Sequence, residues 1–215
     1  MERQEALKLL KTLKGKEFHK LAKQYNIEII GPSGKVNKGW AGHVIERFLG
    51  LPLNSAQSPN FGSWELKVIP LKTLKNGKLT FKETMAITMI DPVNVVQKPF
   101  EESHLYAKLR KIVVVARTVG KNVHEPSYFY DVFEIDLSNP EIYNQVKEDY
   151  EFVRNILSQY NNPYDGLTKL SGKMGVYIQP RTKGAGHGSI SRAFYARKQF
   201  LSLFLDLNRK SYEKL

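Results

Sequence analysis

Glu65 and Lys67 flank one leucine in the stretch "SPNFGSWELKVIP", residues Ser58 to Pro70. On a strand, side chains repeat every two residues, so these two point to the same face. A carboxylate and an ammonium held side by side suit metal-dependent phosphodiester cleavage. The carboxylate binds Mg²⁺, while the lysine positions the attacking water and steadies developing negative charge. A second carboxylate from the preceding segment normally completes such a metal site, and that slot, just after Pro59, holds Asn60. The triplet alone is weak, because Glu-x-Lys arises by chance in many basic proteins as a solvated strand face. Here it follows Pro-Asn-Phe and runs on into Val-Ile-Pro.

Upstream, Glu46 sits among Val44, Ile45, Phe48 and Leu49 at helical spacing. A carboxylate beside a buried helix face needs a partner or a metal. The plainer alternative puts Glu46 at the helix edge, meeting solvent or Arg47.

The elements that must position these groups are legible in the hydrophobic period. Leu9, Leu10, Leu13, Phe18, Leu21 and Ala22 predict one or two helices between Glu5 and Tyr25. Another helix is expected from about Trp40 to Leu49, ended by Gly50 and Pro52. From Phe61 the period becomes two. "WELKVIPL" and "KLTFKETMAITMI" read as strands, with Asn76-Gly77 between them as a hairpin turn. "KIVVVART" and "SYFYDVFEIDL" read as further strands, rich in β-branched and aromatic residues. "NPEIYNQVKEDYEFVRNILSQY" is a long amphipathic helix with Pro140 near its start, and "GKMGVYIQP" is a short strand. A glycine- and cation-rich loop then leads to Arg192, and "AFYARKQFLSLFLDLNRK" is expected to close the chain as a helix. The class is α/β (α+β), a central mixed and mainly antiparallel sheet flanked by helices.

Composition bounds the function. The 215 residues suit one compact domain or two packed lobes, and 41% hydrophobic residues provide a sizeable core. There are no cysteines, which excludes disulfides, thiol catalysis and cysteine-ligated zinc and fits the cytoplasm. No stretch approaches the roughly 18–20 apolar residues of a membrane helix, so no membrane association is expected. The opening "MERQEALKLLKTLKGKEFHK" is charged throughout, unlike a signal peptide. Lys and Arg number 33 against 21 acids, a formal charge of +12. That excess favours a polyanionic partner, nucleic acid before others, because each neutralised phosphate releases counterions. If about six cations touched phosphate, log K would fall against log[salt] with a slope of roughly −5.

Four blocks in order, "NKGWAGHVIERFLG", "SPNFGSWELKVIPLKTLKNGKLTFKETMAI", "ESHLYAKLRKIVVV" and "RAFYARKQF", resemble the MutH group. That group joins the mismatch-repair strand nickase and GATC-cleaving type II restriction endonucleases, within the PD-(D/E)XK nuclease superfamily. The resemblance runs from about Lys38 to Phe200. It implies a restriction-endonuclease-like fold with a DNA-binding cleft, a single endonuclease domain over 1–215, and double-stranded DNA as partner. Two lobes would divide it, about 1–110 with most catalytic residues and about 111–215 with the DNA-reading loop. It further implies Mg²⁺ as cofactor, with Mn²⁺ as a substitute. The implied catalytic set is Glu46, Asn60, Glu65, Lys67 and Lys108, with Asn60, Glu65 and Leu66 at the metal. Glu46 would order the water network.

In that group the loop before the last helix reads base edges, and a tyrosine there senses adenine methylation. "QPRTKGAGHGSISRAFY" places Arg181, Lys183 and Tyr195 on the matching positions, with Gly184, His187 and Arg197 in the same DNA-binding set. Lys38 would face the DNA backbone. Gly184, Gly186 and Gly188 let a backbone approach a groove, and Arg or Lys can pair bidentately with guanine. The plain alternatives are a flexible basic loop touching only phosphates, a solvated His187, and Phe194 and Tyr195 as ordinary helix core. Only one of those two aromatics can face DNA. The Asn60–Glu65 connection is shorter than in MutH itself and looks more like the MvaI type. "TLKNGKLTFKE" and "TKGA" lean towards restriction enzymes, some of which carry a second, C-terminal domain. The restriction reading adds a cognate methyltransferase in the host; the repair reading adds a MutL-like partner.

Asparagine offers Mg²⁺ an amide oxygen but no charge, and hard cations prefer carboxylates. A form with Asn60 is therefore expected to bind DNA and barely cut it. Three explanations stand: a deliberate replacement of aspartate, a natural amide ligand, or charge supplied elsewhere, as by Asp91. The first reads best, because the surroundings of the site are those of a catalyst.

Overall fold

The computed structural model describes residues 1–50, 64–184 and 188–207. Its elements in chain order are helices α1 (Arg3–Lys11), α2 (Phe18–Gln24) and α3 (Trp40–Phe48), then strands β1 (Glu65–Thr73), β2 (Leu79–Phe81) and β3 (Met85–Met89). Helices α4 (Pro92–Gln97) and α5 (His104–Leu109) follow, then strands β4 (Ile112–Thr118) and β5 (Phe129–Glu134). The long helix α6 (Pro140–Leu157), strands β6 (Ile178–Thr182) and β7 (Arg192–Ala196), and the short helix α7 (Lys198–Leu201) complete the series.

These elements form two compact units, each with its own sheet. The first comprises Met1–Glu83, Ile112–Glu134 and Leu205–Leu215; the second comprises Thr84–Lys111 and Ile135–Phe204. The chain thus passes between units at 83/84, 111/112, 134/135 and 204/205, so each unit draws on both sides of residue 110.

The first unit is built on a mixed sheet of order β2-β1-β4-β5, in which β1 and β4 are parallel and the other pairs antiparallel. Gly77 supplies the positive φ of 80° that the β1–β2 turn requires, and Leu74 and Lys78 close it with a backbone bond of 2.8 Å. β4 is buried along Ile112–Ala116, as its β-branched run predicts. Leu66, Val113, Val115 and Val132 pack from the sheet into one core with Leu10, Phe18, Trp40, Val44 and Ile45 of the helices. Arg117, at the end of β4, lies 4.9 Å from the Trp40 ring and 5.7 Å from that of Phe18, and donates to Ser127 Oγ. Burial brings its pKa down to about 10, so it stays a cation pinned between β4 and the start of α3. Gly50, at φ 76°, ends the α3 region in the left-handed conformation.

The second unit holds an antiparallel sheet of order β3-β7-β6. α6 packs against β6 and α4. Its start follows the sequence signal: Pro140 occupies the first turn and Asn139 Oδ1 accepts from the Glu141 backbone N–H at 2.9 Å.

Two expectations are corrected. The run "KLTFKETMAITMI" is two strands in different sheets, because the chain leaves the first unit after Glu83. "RAFYA" is strand β7, not the start of the closing helix, which among the described residues is Lys198–Leu201. Sheet pairing on both sides, with β3 and β6, outweighs the helical spacing of those aromatics. No helix among the described residues is long and apolar enough to cross a membrane.

Candidate active site

Glu65 and Lys67 project from one face of β1, and the Lys67 ammonium is ion-paired with Glu65 Oε1. The carboxylate side chain is 16% exposed and the lysine 30%, so solvent and a ligand can reach both. Leu66 turns the other way into the core beneath α1–α3, which leaves its main-chain carbonyl as the one oxygen it can offer a cation. The parallel ladder holds this stretch still, with Glu65 opposite Ile112 and Lys67 opposite Val114 on the most buried strand.

Glu46 lies in α3, one turn beyond His43, and α3 packs against β1 within the same unit. Burial raises its pKa above the usual carboxylate value, while His43 pulls the other way. A raised folded pKa means that folding favours the protonated form. The contribution is complete below the ordinary carboxylate pKa and is lost as pH climbs through the raised value. Glu46→Gln cannot ionise, so it is expected to raise Tm at neutral pH and flatten the pH dependence in melts between about pH 4 and 8. A lower neutral Tm would contradict this account.

The other acidic and basic candidates fall as follows. Lys108 stands in the last turn of α5, half-buried, in the second unit. Asp91 caps α4 instead of serving as a spare ligand: its Oδ1 accepts from the Val93 and Asn94 N–H groups, each at 3.1 Å. Asn60 and His187 lie outside the described residues. Among the described residues no three carboxylate or imidazole groups gather to hold an ion. The oxygen donors that this stretch contains are the Glu65 carboxylate and the Leu66 main-chain carbonyl, and an asparagine at position 60 has an amide oxygen to add. That donor type fits a hard divalent cation.

Two of the cationic candidates, Arg181 and Lys183, meet on the β6–β7 hairpin. Gln179 and Arg181 share one face of β6, Tyr195 lies opposite Gln179, and the pairing continues to Lys183, whose N–H reaches Ser191 O at 3.0 Å. The Arg181 guanidinium is 5.4 Å from the Tyr195 ring centroid and donates to Thr84 Oγ1 at 2.7 Å. Lys183 Nζ is 5.9 Å from the same ring. Both cations are exposed. Phe194 takes the opposite face, 1% exposed against Tyr150, so Tyr195 alone joins the cations. Gly184 has φ 139°, and a Cβ there would meet Ser189 Oγ at 2.7 Å, so the turn admits glycine for steric reasons.

Known proteins match much of this chain. The family model described as DNA mismatch repair enzyme MutH matches residues 49–149. The type II restriction enzyme Sau3AI of Staphylococcus aureus is 30% identical over 172 residues, which are 77% of this chain and 34% of that enzyme. The DNA mismatch repair protein MutH of Haemophilus influenzae (strain PittGG) is 25% identical, covering 95% of this chain and 96% of its own. That of Actinobacillus pleuropneumoniae serotype 5b is 26% identical over 94% and 92%. The chain is related to the MutH-type endonucleases. It spans about a third of the restriction enzyme and nearly all of the MutH proteins.

The MutH match takes in Asn60, Glu65, Lys67 and Lys108, while Glu46, Lys38 and the β6–β7 hairpin lie outside it. Lys38 is exposed just before α3. Arg197 is committed elsewhere: its guanidinium donates to the carbonyls of Gly175 at 3.0 Å, Gly172 at 2.8 Å and Met174 at 3.0 Å. Its place is therefore that of a brace for the 172–175 segment. Two further residues escaped the sequence reading, Thr84 beneath Arg181 and Asp149 on α6. Asp149 had a signal: it sits among Val146, Tyr150 and Val153 on the apolar stripe, where a charge is out of place unless satisfied.

Proposed function

We propose that this MutH-type chain is a sequence-specific, Mg²⁺-dependent endonuclease for double-stranded DNA of the type II restriction kind. It hydrolyses phosphodiester bonds at a short site such as GATC, and Asn60 leaves this form largely inactive. The observation that carries the reading is the Glu65–Lys67 ion pair, presented on a partly open face of β1 within the MutH-matching segment.

Mg²⁺, or Mn²⁺ in its place, would be held by Glu65, the Leu66 carbonyl and the side chain of residue 60, and would polarise the phosphate and acidify water. Lys67 donates to the incoming water and to the oxygens that gain charge, and its pairing with Glu65 keeps the ammonium in place. Glu46, with its raised proton affinity, orders neighbouring water and accepts a proton from it at its carboxylate. Lys108 matches the second lysine that the MutH resemblance implies for the catalytic set. Arg181 and Lys183 read base edges or grip phosphate beside Tyr195, and Lys38 holds the backbone.

The test is a cleavage-site map of the Asn60→Asp form on unmethylated plasmid with Mg²⁺. Discrete fragments ending at one short sequence are expected. A silent aspartate form, across all methylation states and also with Mn²⁺, would leave only a DNA-binding role. The rival within the enzyme class is a repair nickase, favoured by the match along nearly the whole length of the MutH proteins. Single-strand nicks at hemimethylated sites, stimulated by a MutL-like ATPase, would decide for it.

A further inference from the structure

Asp149 is a buried aspartate, 3% exposed, with no place in the proposed chemistry. Its Oδ1 accepts the Val176 N–H at 2.7 Å, and its Oδ2 accepts those of Tyr177 and Ile178, each at 2.7 Å. Gln145 Nε2 donates to Oδ1 as well, at 3.2 Å. Three successive backbone amides on one carboxylate form a short, charge-assisted grip, roughly twice as strong per bond as neutral pairs. The three amides lead directly into β6, which starts at Ile178 and carries Arg181 three residues later.

The other side of the same segment is held too. Arg197 binds the carbonyls of Gly172, Met174 and Gly175, and its own N–H donates to Tyr177 O at 2.8 Å. Gly175 adopts φ 75°, and a Cβ there would fall 1.8 Å from Ile178 O, so no other residue closes this bend. The segment 172–178 is thus gripped by its amides from α6 and by its carbonyls from the residue after β7.

We propose that Asp149 and Arg197 are positioning residues that aim the β6–β7 hairpin, so that Arg181 and Lys183 meet DNA in fixed register. Lysine contacts to phosphate tolerate a shifted hairpin, because they act as point charges. Bidentate pairing of Arg181 with a base edge does not. Loss of the grip should therefore reduce discrimination between sequences more than it reduces overall DNA affinity. This rests on the reading of the hairpin as the DNA-reading element.

The experiment uses the full chain with Asp149→Asn, which keeps size and one acceptor oxygen, and with Val153→Ala as a control that weakens α6 packing and leaves the Asp149 carboxylate in place. Two readouts are taken well below each Tm: amide hydrogen exchange, and the ratio of Kd for random duplex to Kd for a GATC duplex. Asp149→Asn is expected to speed exchange across 176–183 and lower the ratio roughly tenfold, the scale of one lost base-edge pair. Val153→Ala, at a similar loss of Tm, should leave the ratio intact. Unchanged exchange at 176–183 overturns the grip. Faster exchange with an unchanged ratio, or an equal fall in the control, overturns its role in aiming the hairpin. A parent chain with no preference for any sequence points instead at the DNA-reading assignment, which separates the two failures.

Discussion

Cleavage by the Asn60→Asp form is expected to fall roughly a hundred- to a thousandfold when Lys67 is replaced by Ala, the cost of removing one donor aimed at developing charge. The same single-turnover assay should show little change in DNA affinity, because in the proposed reading Lys67 acts on the reacting phosphate alone and not along the length of the duplex. Glu65→Gln in the same background should be at least as damaging, since it removes the one carboxylate that β1 offers a cation and also unpairs Lys67. Both substitutions lie on a ladder-held strand whose fold depends on Leu66, Ile69 and Leu71, so Tm should move little. If Lys67→Ala cut as fast as its parent, the ion pair would be an ordinary solvated strand contact and the site would have to be sought elsewhere.

Arg181→Ala and Lys183→Ala are expected to separate two kinds of DNA contact. Arg181 is already ordered by the Tyr195 ring and Thr84 Oγ1, which lowers the cost of presenting its planar fork to a guanine. Its removal should cost about 1–3 kcal/mol of binding to the recognised site and relax specificity at one base pair. Lys183→Ala should weaken all sequences alike and reduce the slope of log K against log[salt] by about one. Titrations of matched and mismatched duplexes at several salt concentrations distinguish these outcomes. If both variants behaved alike, with a uniform loss and a smaller salt slope, the hairpin would be gripping phosphate only.

Much of the site was legible because it is local. The two-residue period put Glu65 and Lys67 on one face, and the structure has them there, paired. Helical spacing marked Glu46 as a carboxylate at the margin of a core, and its raised pKa follows from that burial. Asn76-Gly77 and Asn139-Pro140 gave turn and helix start through local backbone chemistry alone. Strand β7 is ambiguous in the sequence because Phe194, Tyr195 and their neighbours carry spacing compatible with either helix or strand; of its two hydrogen-bonded neighbours, β6 is joined to it by a hairpin and β3 is about a hundred residues away in sequence.

The amino-acid sequence by itself determined the basic charge, a sum over the chain, and also the period, the caps and the one-face pairing of Glu65 with Lys67, since each of these depends on residues within a few positions of one another. Only the tertiary structure decided that Leu66 turns into the core, that Arg197 is spent on main-chain carbonyls, and that Asp149 grips the start of β6 from 27 to 29 residues away. Those are contacts across long loops, where many partners are chemically adequate and the packing of whole sheets and helices selects one.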